Sequence, residues 1–334
     1  MSVFIIAEAG VNHNGSIDLA RKMIDIATKS GVDAIKFQTF NAKDLASIDA
    51  PMANYQKNTS SKYSSHFEML RNLEIGQEFH RKLLEHCHKN KIKFISSPFD
   101  SKSVKLLSSF DIDIYKIPSG EITNYPLLQM IGSFNKEIIL STGMANNKEI
   151  QEAIDLLCSS GTQKEKISLL HCTSVYPTPF KEVNLNCIKK MKEDFNLNTG
   201  FSDHTIGIEA SIAAVSIGAT IIEKHFTTDK NLPGPDHKIS LDEHELSSLV
   251  CSIRNIESAL GINLKGPTIS EKETMLVARK SIVALKKIKI GDIFNDENIG
   301  AKRPGDGISP MKIKDFYGKK SNRNYFVDEK IDSI

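Results

Sequence analysis

The segment around Lys116 carries a cation, a hydroxyl and a carboxylate within six residues of one another. Lys116 and Glu121 flank a Pro-Ser-Gly turn that contains Ser119 and follows a short apolar run over residues 112–117. Such a run predicts a buried strand, and the turn predicts where the strand ends. A strand end with these three groups could hold an anion next to a polar, hydroxylated molecule.

The chain repeats this arrangement, which distinguishes it from an ordinary loop. Polar side chains with useful chemistry end several other apolar runs, at Lys36 with Gln38, Ser97, Ser141, His204 and His225. Because the repeated feature is a polar strand end, the sequence indicates that one edge of a sheet, or one end of a barrel, collects these groups.

The order of elements predicts the fold class. Predicted strands alternate with amphipathic helices, and the strands cover residues 3–7, 34–40, 93–97, 112–117, 137–141, 167–172, 199–202 and 220–224. About eight strand–helix units in roughly 260 residues are typical of a TIM (β/α)8 barrel. A doubly wound sheet is the alternative, but it gathers its ligands at one switch point. Polar residues after nearly every strand favour the barrel.

In a TIM barrel, the carboxyl ends of the strands share one mouth. This fold would bring together a set of side chains consisting of Glu8, Lys36, Gln38, Ser97, Lys116, Ser119, Glu121, Ser141, Ser174, Tyr176, Ser202, His204, His225 and Asp236. Two lysines with several hydroxyls suit a phosphate. Two imidazoles from neighbouring strands suit a divalent cation that keeps open positions. The carboxylates could accept hydrogen bonds from sugar hydroxyls or amides.

The remaining segments predict a rim, a linker and a small module. A polar insertion over residues 41–65 is typical of a lid or rim after a strand end. The helical periodicity ends near residue 262, so we predict a barrel domain over 1–262, a linker over 263–276 and a small α+β or β-rich domain over 277–334. Arg303 lies in a Gly- and Pro-containing loop of that small domain.

Composition excludes several classes of function. The 334 residues are 40% hydrophobic and 25% charged, and the formal charge is +2, so nothing global favours nucleic acid or a membrane. The five cysteines show no CxxC spacing, which is typical of reduced thiols in a cytoplasmic protein. The N-terminal apolar run is too short to predict a signal peptide or a membrane span.

Ordered motifs along almost the whole chain resemble the bacterial nonulosonic acid synthases, the sialic acid synthase type. They are Ala7-Glu-Ala-Gly-Val-Asn-His-Asn-Gly15, Lys36-Phe-Gln38, Pro118-Ser-Gly-Glu121, Leu140-Ser-Thr-Gly-Met144, Tyr176-Pro-Thr-Pro179, Ser202-Asp-His-Thr205, Glu223-Lys-His-Phe-Thr227, Pro233-Gly-Pro-Asp236 and Lys302-Arg-Pro-Gly305. The segment that follows Pro118 is more similar to legionaminate synthases than to N-acetylneuraminate or pseudaminate synthases.

The resemblance implies a TIM barrel followed by an antifreeze-like (SAF) domain, in a domain-swapped homodimer. The implied reaction condenses phosphoenolpyruvate with an open-chain N-acetylated mannosamine-type sugar and releases phosphate. The product would be N,N'-diacetyllegionaminate or N-acetylneuraminate, according to the sugar.

The resemblance also implies roles for individual residues. Phosphoenolpyruvate would be held by Lys36, Ser97, Lys116, Ser119, Ser141 and Ser202, with Ser174 beside them. His204 and His225 would hold the divalent metal, Mn or Mg. The sugar would face Glu8, Gln38, Glu121, Tyr176 and Asp236, while Arg303 would reach its N-acyl group from the other subunit. A metal-bound water is the preferred nucleophile for the final hydration, with Glu121 as the second candidate for activating water.

Two other functions remain open on the sequence. A metal-dependent aldolase that uses pyruvate would need neither two lysines nor the row of hydroxyls. A non-catalytic protein could use the C-terminal module as a carbohydrate- or ice-binding unit on an inert barrel.

Overall fold

The computed structural model describes residues 2–52, 63 and 65–333, which form two compact units, Met1–Gly261 and Ile262–Ile334. Residues 53–62 and 64, in the second half of the insertion predicted to form a lid or rim, lie outside the described residues, as do both terminal residues. The sequence placed the end of the barrel domain at residue 262 and the start of the small domain at 277.

Eight parallel strands form a closed barrel in the first unit. They are β1 (Phe4–Gly10), β2 (Ala34–Thr39), β3 (Lys93–Pro98), β4 (Ile114–Ile117), β5 (Glu137–Ser141), β6 (Ile167–Cys172), β7 (Asn198–Asp203) and β8 (Ile221–His225). Each strand pairs with the next in the sequence, and β8 closes on β1 through pairs such as Glu8 with His225. The predicted TIM barrel is therefore confirmed, and the doubly wound alternative is wrong.

Helices on the outside of the barrel connect the strands. They are α1 (Ile17–Ser30), α2 (Ala42–Leu45), α3 (His66–Leu73), α4 (Gln77–Asn90), α5 (Ser101–Ser109), α6 (Tyr125–Gly132), α7 (Asn147–Ser159), α8 (Asn186–Phe195), α9 (Glu209–Ser216) and α10 (Glu243–Leu260). Among the described residues, no helix combines the length and the apolar character needed to cross a bilayer.

Local signals fix where these helices begin and end. Ser16 accepts a hydrogen bond from the Leu19 N–H at the start of α1, and Gly31 ends the helix in the left-handed conformation, at φ 79°. A hydroxyl at the start and a glycine just past the end satisfy backbone groups that the helix leaves unpaired. These are the signals from which the sequence predicts α1.

An apolar layer closes the interior of the barrel below the strand ends. We call it the barrel floor, and it is formed by Ile6, Ala34, Ile95, Ile139, Leu170 and Ile221. Successive side chains of a strand point to opposite faces, so the residue two positions beyond each floor residue faces the same interior space. Those residues include Glu8, Lys36, Ser97 and Ser141, and the floor thus determines which polar side chains reach the mouth.

The second unit has its own small core. It contains the helix α11 (Ile269–Ala278) and an antiparallel pair of strands, β9 (Ser281–Ala284) and β10 (Ile299–Lys302). Its core is formed by Ile282, Ala284, Ile288, Phe294, Ile299, Phe316, Tyr325 and Ile331. The stretch predicted as a linker, 263–276, contains most of α11. The helix begins with a capping box between Thr268 and Glu271. The Gly-Pro pair directly before Thr268 is what favoured a linker.

Gly200 of β7 tests how closely the barrel interior is packed. A Cβ added there would overlap the Ile221 carbonyl oxygen and lie 2.7 Å from a Leu170 methyl group. We expect Gly200→Ala to lower the free energy of unfolding by about 1–3 kcal/mol, the usual cost of overpacking a core. Urea denaturation measures this loss. Gly120→Ala is the matched control, because a Cβ there meets nothing within 4 Å, and equal stability of the two variants would contradict the packing described here.

Candidate active site

A cavity of about 450 Å³ lies at the carboxyl ends of the barrel strands. Its lining contains every site residue that the sequence predicted in the first unit, namely Glu8, Lys36, Gln38, Ser97, Lys116, Ser119, Glu121, Ser141, Ser174, Tyr176, Ser202, His204, His225 and Asp236. Arg303 lies in the second unit, where its Nε donates to the Ala278 carbonyl at 2.9 Å.

Two buried lysines form the polar base of the cavity. Lys36 Nζ lies 2.8 Å from Glu8 Oε2 and donates to Ser97 Oγ at 3.2 Å. Lys116 Nζ donates to Ser141 Oγ at 2.7 Å. Both side chains are almost fully buried, with 3% and 1% exposure, so their charges act in a poorly solvated environment in which electrostatic forces are strong.

Glu223 stands between the two lysines and was missed by the sequence analysis. Its carboxylate oxygens lie 3.7 Å from Lys36 Nζ and 3.8 Å from Lys116 Nζ, and it accepts a hydrogen bond from Ser202 Oγ at 3.1 Å. Burial alone would raise the pKa of Glu223, but the ammonium groups of Lys116 and Lys36 hold it below its ordinary value. Glu223 is therefore an ionised counter-charge shared by both lysines.

The two lysines differ in how well their charge is compensated. Burial acts to lower the pKa of Lys36, yet the carboxylates of Glu223 and Glu8 together raise it. Lys116 has an ion pair with Glu223 alone among the described residues, and there burial prevails and lowers the pKa. Burial likewise raises the pKa of Glu8, against the influence of Lys36.

The paired imidazoles lie on the adjacent ends of β7 and β8. The ring centroids of His204 and His225 are 5.5 Å apart, and the Tyr176 ring lies 4.0 Å from that of His204. His204 Nδ1 is 2.8 Å from the Thr173 carbonyl oxygen. That contact holds a proton on Nδ1. Burial acts to lower the pKa of His204, but Cys172 and the Thr173 carbonyl together raise it above its ordinary value, so Nε2 offers its lone pair to a cation once that cation has displaced its proton.

His225 and Asp236 supply buried atoms without partners. Among the described residues, neither His225 Nδ1 nor Asp236 Oδ1 has a hydrogen-bond partner, and Asp236 Oδ2 is 3.9 Å from His225 Nδ1. Burial and the neighbouring cations hold the pKa of His225 well below its usual value, so its imidazole is neutral and can donate a lone pair. No group of three or more His, Cys, Asp or Glu side chains within the described residues is arranged to hold a metal on its own. The pair would therefore leave coordination positions to a ligand or water.

Further carboxyl and amide groups line the cavity. Glu121 accepts a hydrogen bond from Asn124 Nδ2 at 2.6 Å, and Gln38 Nε2 donates to Glu8 Oε1 at 3.2 Å. Burial, with the nearby charge of Glu8, raises the pKa of Asp236 to about 7, and burial raises that of Glu121. Asp236 can therefore donate as well as accept hydrogen bonds near neutral pH, which suits a ligand with several hydroxyls.

One side of the cavity is apolar. We call it the apolar wall, formed by Val11, Phe40, Met69, Leu70, Leu73 and Phe99. Three of its residues belong to α3, within the region between β2 and α4 that includes the polar insertion. The composition of the insertion over residues 41–65 predicts a rim. The wall residues lie outside that insertion and are brought together by tertiary packing, so the composition gives no sign of the wall.

Glu223 and Cys172, in contrast, left a signal in the sequence. Each stands two residues beyond a floor residue, Ile221 and Leu170 respectively, on the same face of its strand. The sequence analysis considered only the polar residues at the ends of the strands, so it predicted His225 and passed over the position two residues earlier. Strict alternation within β6 and β8 would have placed both side chains in the cavity.

Comparisons with known proteins agree on one family. The NeuB family model matches residues 23–265, and the SAF domain model matches residues 279–326, which confirms the small domain that the resemblance implied. N,N'-diacetyllegionaminic acid synthase from Campylobacter jejuni is 50% identical over 327 residues, 98% of each chain. The synthase of the same name from Legionella pneumophila is 42% identical over 97% of this chain and 92% of its own.

A solved structure gives the same indication. The N-acetylneuraminic acid (sialic acid) synthetase from Leptospira borgpetersenii, in complex with citrate, superposes with a TM-score of 0.72 at 34% identity. The match covers 82% of this chain and 90% of the other.

Replacing Glu223 tests its place between the two ammonium groups. We expect Glu223→Gln to lower the free energy of unfolding by about 3–5 kcal/mol, because a buried ion pair that loses one partner leaves an uncompensated charge. Inorganic phosphate should then raise the thermal midpoint more in the variant than in the unsubstituted chain, since the anion supplies the missing negative charge. Glu78→Gln is the control, because Glu78 pairs with Arg81 on the exposed face of α4. Equal phosphate shifts in all three proteins would show that Glu223 does not compensate the lysines.

Proposed function

The chain belongs to the NeuB family, and from this premise we propose that it is a nonulosonic acid synthase that joins phosphoenolpyruvate to an N-acylated mannosamine-type sugar. The observation that carries the proposal is the layout of the cavity, in which buried Lys36 and Lys116 lie beside a row of serines and close to the pair of imidazoles. This layout provides an anion site and a cation site in one enclosure. A pyruvate aldolase would leave the second lysine without a ligand group to bind.

Phosphoenolpyruvate binds, on this proposal, at the lysine end of the cavity. Lys36 and Lys116 oppose the charges of its carboxylate and phosphate, and Ser97 and Ser141 already accept hydrogen bonds from these two ammonium groups. Ser119, Ser174 and Ser202 complete the hydroxyl row. A hydroxyl can both donate and accept hydrogen bonds. Ser97 and Ser141 can therefore accept from the lysines and donate to the ligand's oxygen atoms.

A divalent cation, Mn or Mg, fits the imidazole pair. His204 presents Nε2 because its Nδ1 proton is held by Thr173, and the uncompensated atoms of His225 and Asp236 are where a positive charge would be stabilised. When bound, the cation would polarise the aldehyde oxygen of the open-chain sugar.

The reaction then forms one carbon–carbon bond and exchanges the bond from carbon 2 to the phosphate oxygen for a bond from carbon 2 to a water oxygen. Of the two water protons, one ends on the former aldehyde oxygen and the other on the released phosphate. Carbon 3 of the enol attacks the aldehyde carbon, and positive character develops on carbon 2. Water adds to carbon 2, and the bond between carbon 2 and the phosphate oxygen breaks, so the products are the nine-carbon 2-keto acid and inorganic phosphate. Glu8 and Glu121, whose pKa values burial raises, are the carboxyl groups that we assign to proton exchange. The carboxylate of Glu223 keeps the lysines charged throughout.

We propose 6-deoxy-2,4-diacetamido-mannose as the sugar and N,N'-diacetyllegionaminate as the product. Gln38, Tyr176 and Asp236 would face the sugar, and the apolar wall would contact its methyl groups. A hydroxyl at carbon 6 would lose water against such a wall without gaining a partner. The 50% identity to a synthase named for that product supports the same choice.

The proposal includes a homodimer in which Arg303 of a second copy reaches the N-acyl group of the sugar. A guanidinium is suited to a carbonyl oxygen because its donors are fixed in a plane. All five cysteines are free, and the proposal includes a cytoplasmic location for the enzyme.

The acceptor sugar can be determined by direct comparison. We expect phosphate release from phosphoenolpyruvate with 6-deoxy-2,4-diacetamido-mannose at a kcat/KM roughly 10- to 100-fold above that with N-acetylmannosamine, the range over which an apolar pocket discriminates one hydroxyl. Mass spectrometry of the product identifies the acid. Pyruvate in place of phosphoenolpyruvate is the control, and product from pyruvate would favour an aldolase. Faster turnover of N-acetylmannosamine would reverse the choice of sugar.

Removal of the metal tests the role of the imidazoles. We expect EDTA to abolish turnover and Mn²⁺ to restore it, whereas His204→Ala should show no activity that EDTA removes and Mn²⁺ restores, because one of two protein ligands is gone. Isothermal titration with Mn²⁺ should show the same loss of binding. His88→Ala, at an exposed position of α4, is the control. Full activity of His204→Ala that EDTA removes and Mn²⁺ restores would remove His204 from the ligand set.

A further inference from the structure

A buried ion pair lies directly behind the two imidazoles, on the outer face of the barrel strands. Asp203 and Lys224 are cross-strand partners on β7 and β8, and Lys224 Nζ lies 3.0 Å from Asp203 Oδ2. Asp203 precedes His204 and Lys224 precedes His225. Because side chains alternate along a strand, the pair points away from the cavity while the imidazoles point into it.

The carboxylate of Asp203 is fully engaged by its surroundings. Its Oδ1 accepts hydrogen bonds from the backbone N–H and the hydroxyl of Thr205, both at 2.8 Å, and its Oδ2 accepts one from Ser211 Oγ at 2.6 Å. Lys224 Nζ also donates to the Thr205 carbonyl at 2.6 Å. The backbone of Thr205, directly after His204, is therefore held by both members of the pair.

This pair is poorly explained as a source of stability. Both side chains are 1% exposed, and the loss of hydration on burying two such charges is about as large as the attraction between them, so apolar residues of the same volume often serve as well. What an ion pair adds is a defined geometry between two strands. It fixes the register and spacing at the point where the two imidazoles leave the strands.

We propose that Asp203 and Lys224 are positioning residues that set the separation of the His204 and His225 imidazoles and thereby the affinity for the divalent cation. The proposal rests on the metal assignment made above for these imidazoles. A shift of one strand end against the other changes the distance between the two rings directly, because each ring is attached to the residue adjacent to the pair. Mutation of groups that support metal ligands without touching the metal commonly lowers metal affinity by roughly 10- to 100-fold.

The test is the double variant Asp203→Asn with Lys224→Met, in the full chain. It removes both charges, while the asparagine oxygen can still accept from the Thr205 N–H. We expect Mn²⁺ affinity, measured by isothermal titration, to fall roughly 10- to 100-fold, with His204 and His225 themselves unchanged. Leu157→Ala is the matched control, because it removes buried volume from the core around α7, so it destabilises the fold and should keep its affinity.

The outcomes separate this proposal from the metal assignment. If the unsubstituted chain binds no Mn²⁺, the metal assignment fails, and the positioning role is judged from a crystal structure of the double variant. In that case, a distance between the two ring centroids that is still 5.5 Å would overturn the positioning role. If the unsubstituted chain does bind Mn²⁺, an affinity of the double variant within about threefold of it would overturn the role, because the effect expected for such a partner is larger.

Two milder variants decide the case if the double variant does not fold. Ser211→Ala and Thr205→Val each remove one hydrogen bond to Asp203 and keep both charges. We expect each to weaken Mn²⁺ binding by a few-fold while the thermal midpoint falls no further than in Leu157→Ala. Unchanged affinity in both variants would overturn the proposal.

Discussion

The compensation of two buried ammonium charges is the constraint on which the rest of the cavity depends. Lys36 and Lys116 lie where water cannot hydrate them, so their charge must be balanced by protein groups. Glu223 lies close to both ammonium groups and Glu8 pairs with Lys36. The lysines also donate to Ser97, Ser141 and the Ile117 carbonyl. The closed barrel makes this balance possible because it brings β8 next to β1 and faces both toward strands from the middle of the chain.

The interior of the barrel is arranged in steps of two residues. The floor comes first, then the level of Glu8, Lys36 and Glu223, and on β7 and β8 the imidazoles come one step later. Each step changes the side chains from apolar to ionic to imidazole, while the residues between them face outward and pack under the helices. The Asp203–Lys224 pair shows that the outward positions also contribute, because they hold the strand ends from behind.

The sequence was informative where a local rule determined the outcome. The strand ends at Lys36, Lys116, His204 and His225 follow from apolar runs and turn residues, and the barrel brought all of them into one cavity. Local rules do not describe the apolar wall, because α3 reaches the cavity through packing against Val11 and Phe40. Nor did they give α11, whose capping box stands beside a Gly-Pro pair that argued against a helix. Glu223 is an intermediate case. Its position two residues beyond Ile221, on the same face of β8, could be read from the sequence, whereas its contacts with the two lysines could not.

The barrel floor determines from which side small molecules can reach the buried lysines. In the part of the chain that the structure describes, apolar side chains close the barrel beneath the lysines, so anything that binds there must enter through the mouth of the cavity. A bulky sugar bound at the outer level would obstruct that path. On the proposed function, the anion would enter before the sugar and the large acid would leave before the next anion, so the floor would impose an order of binding and release.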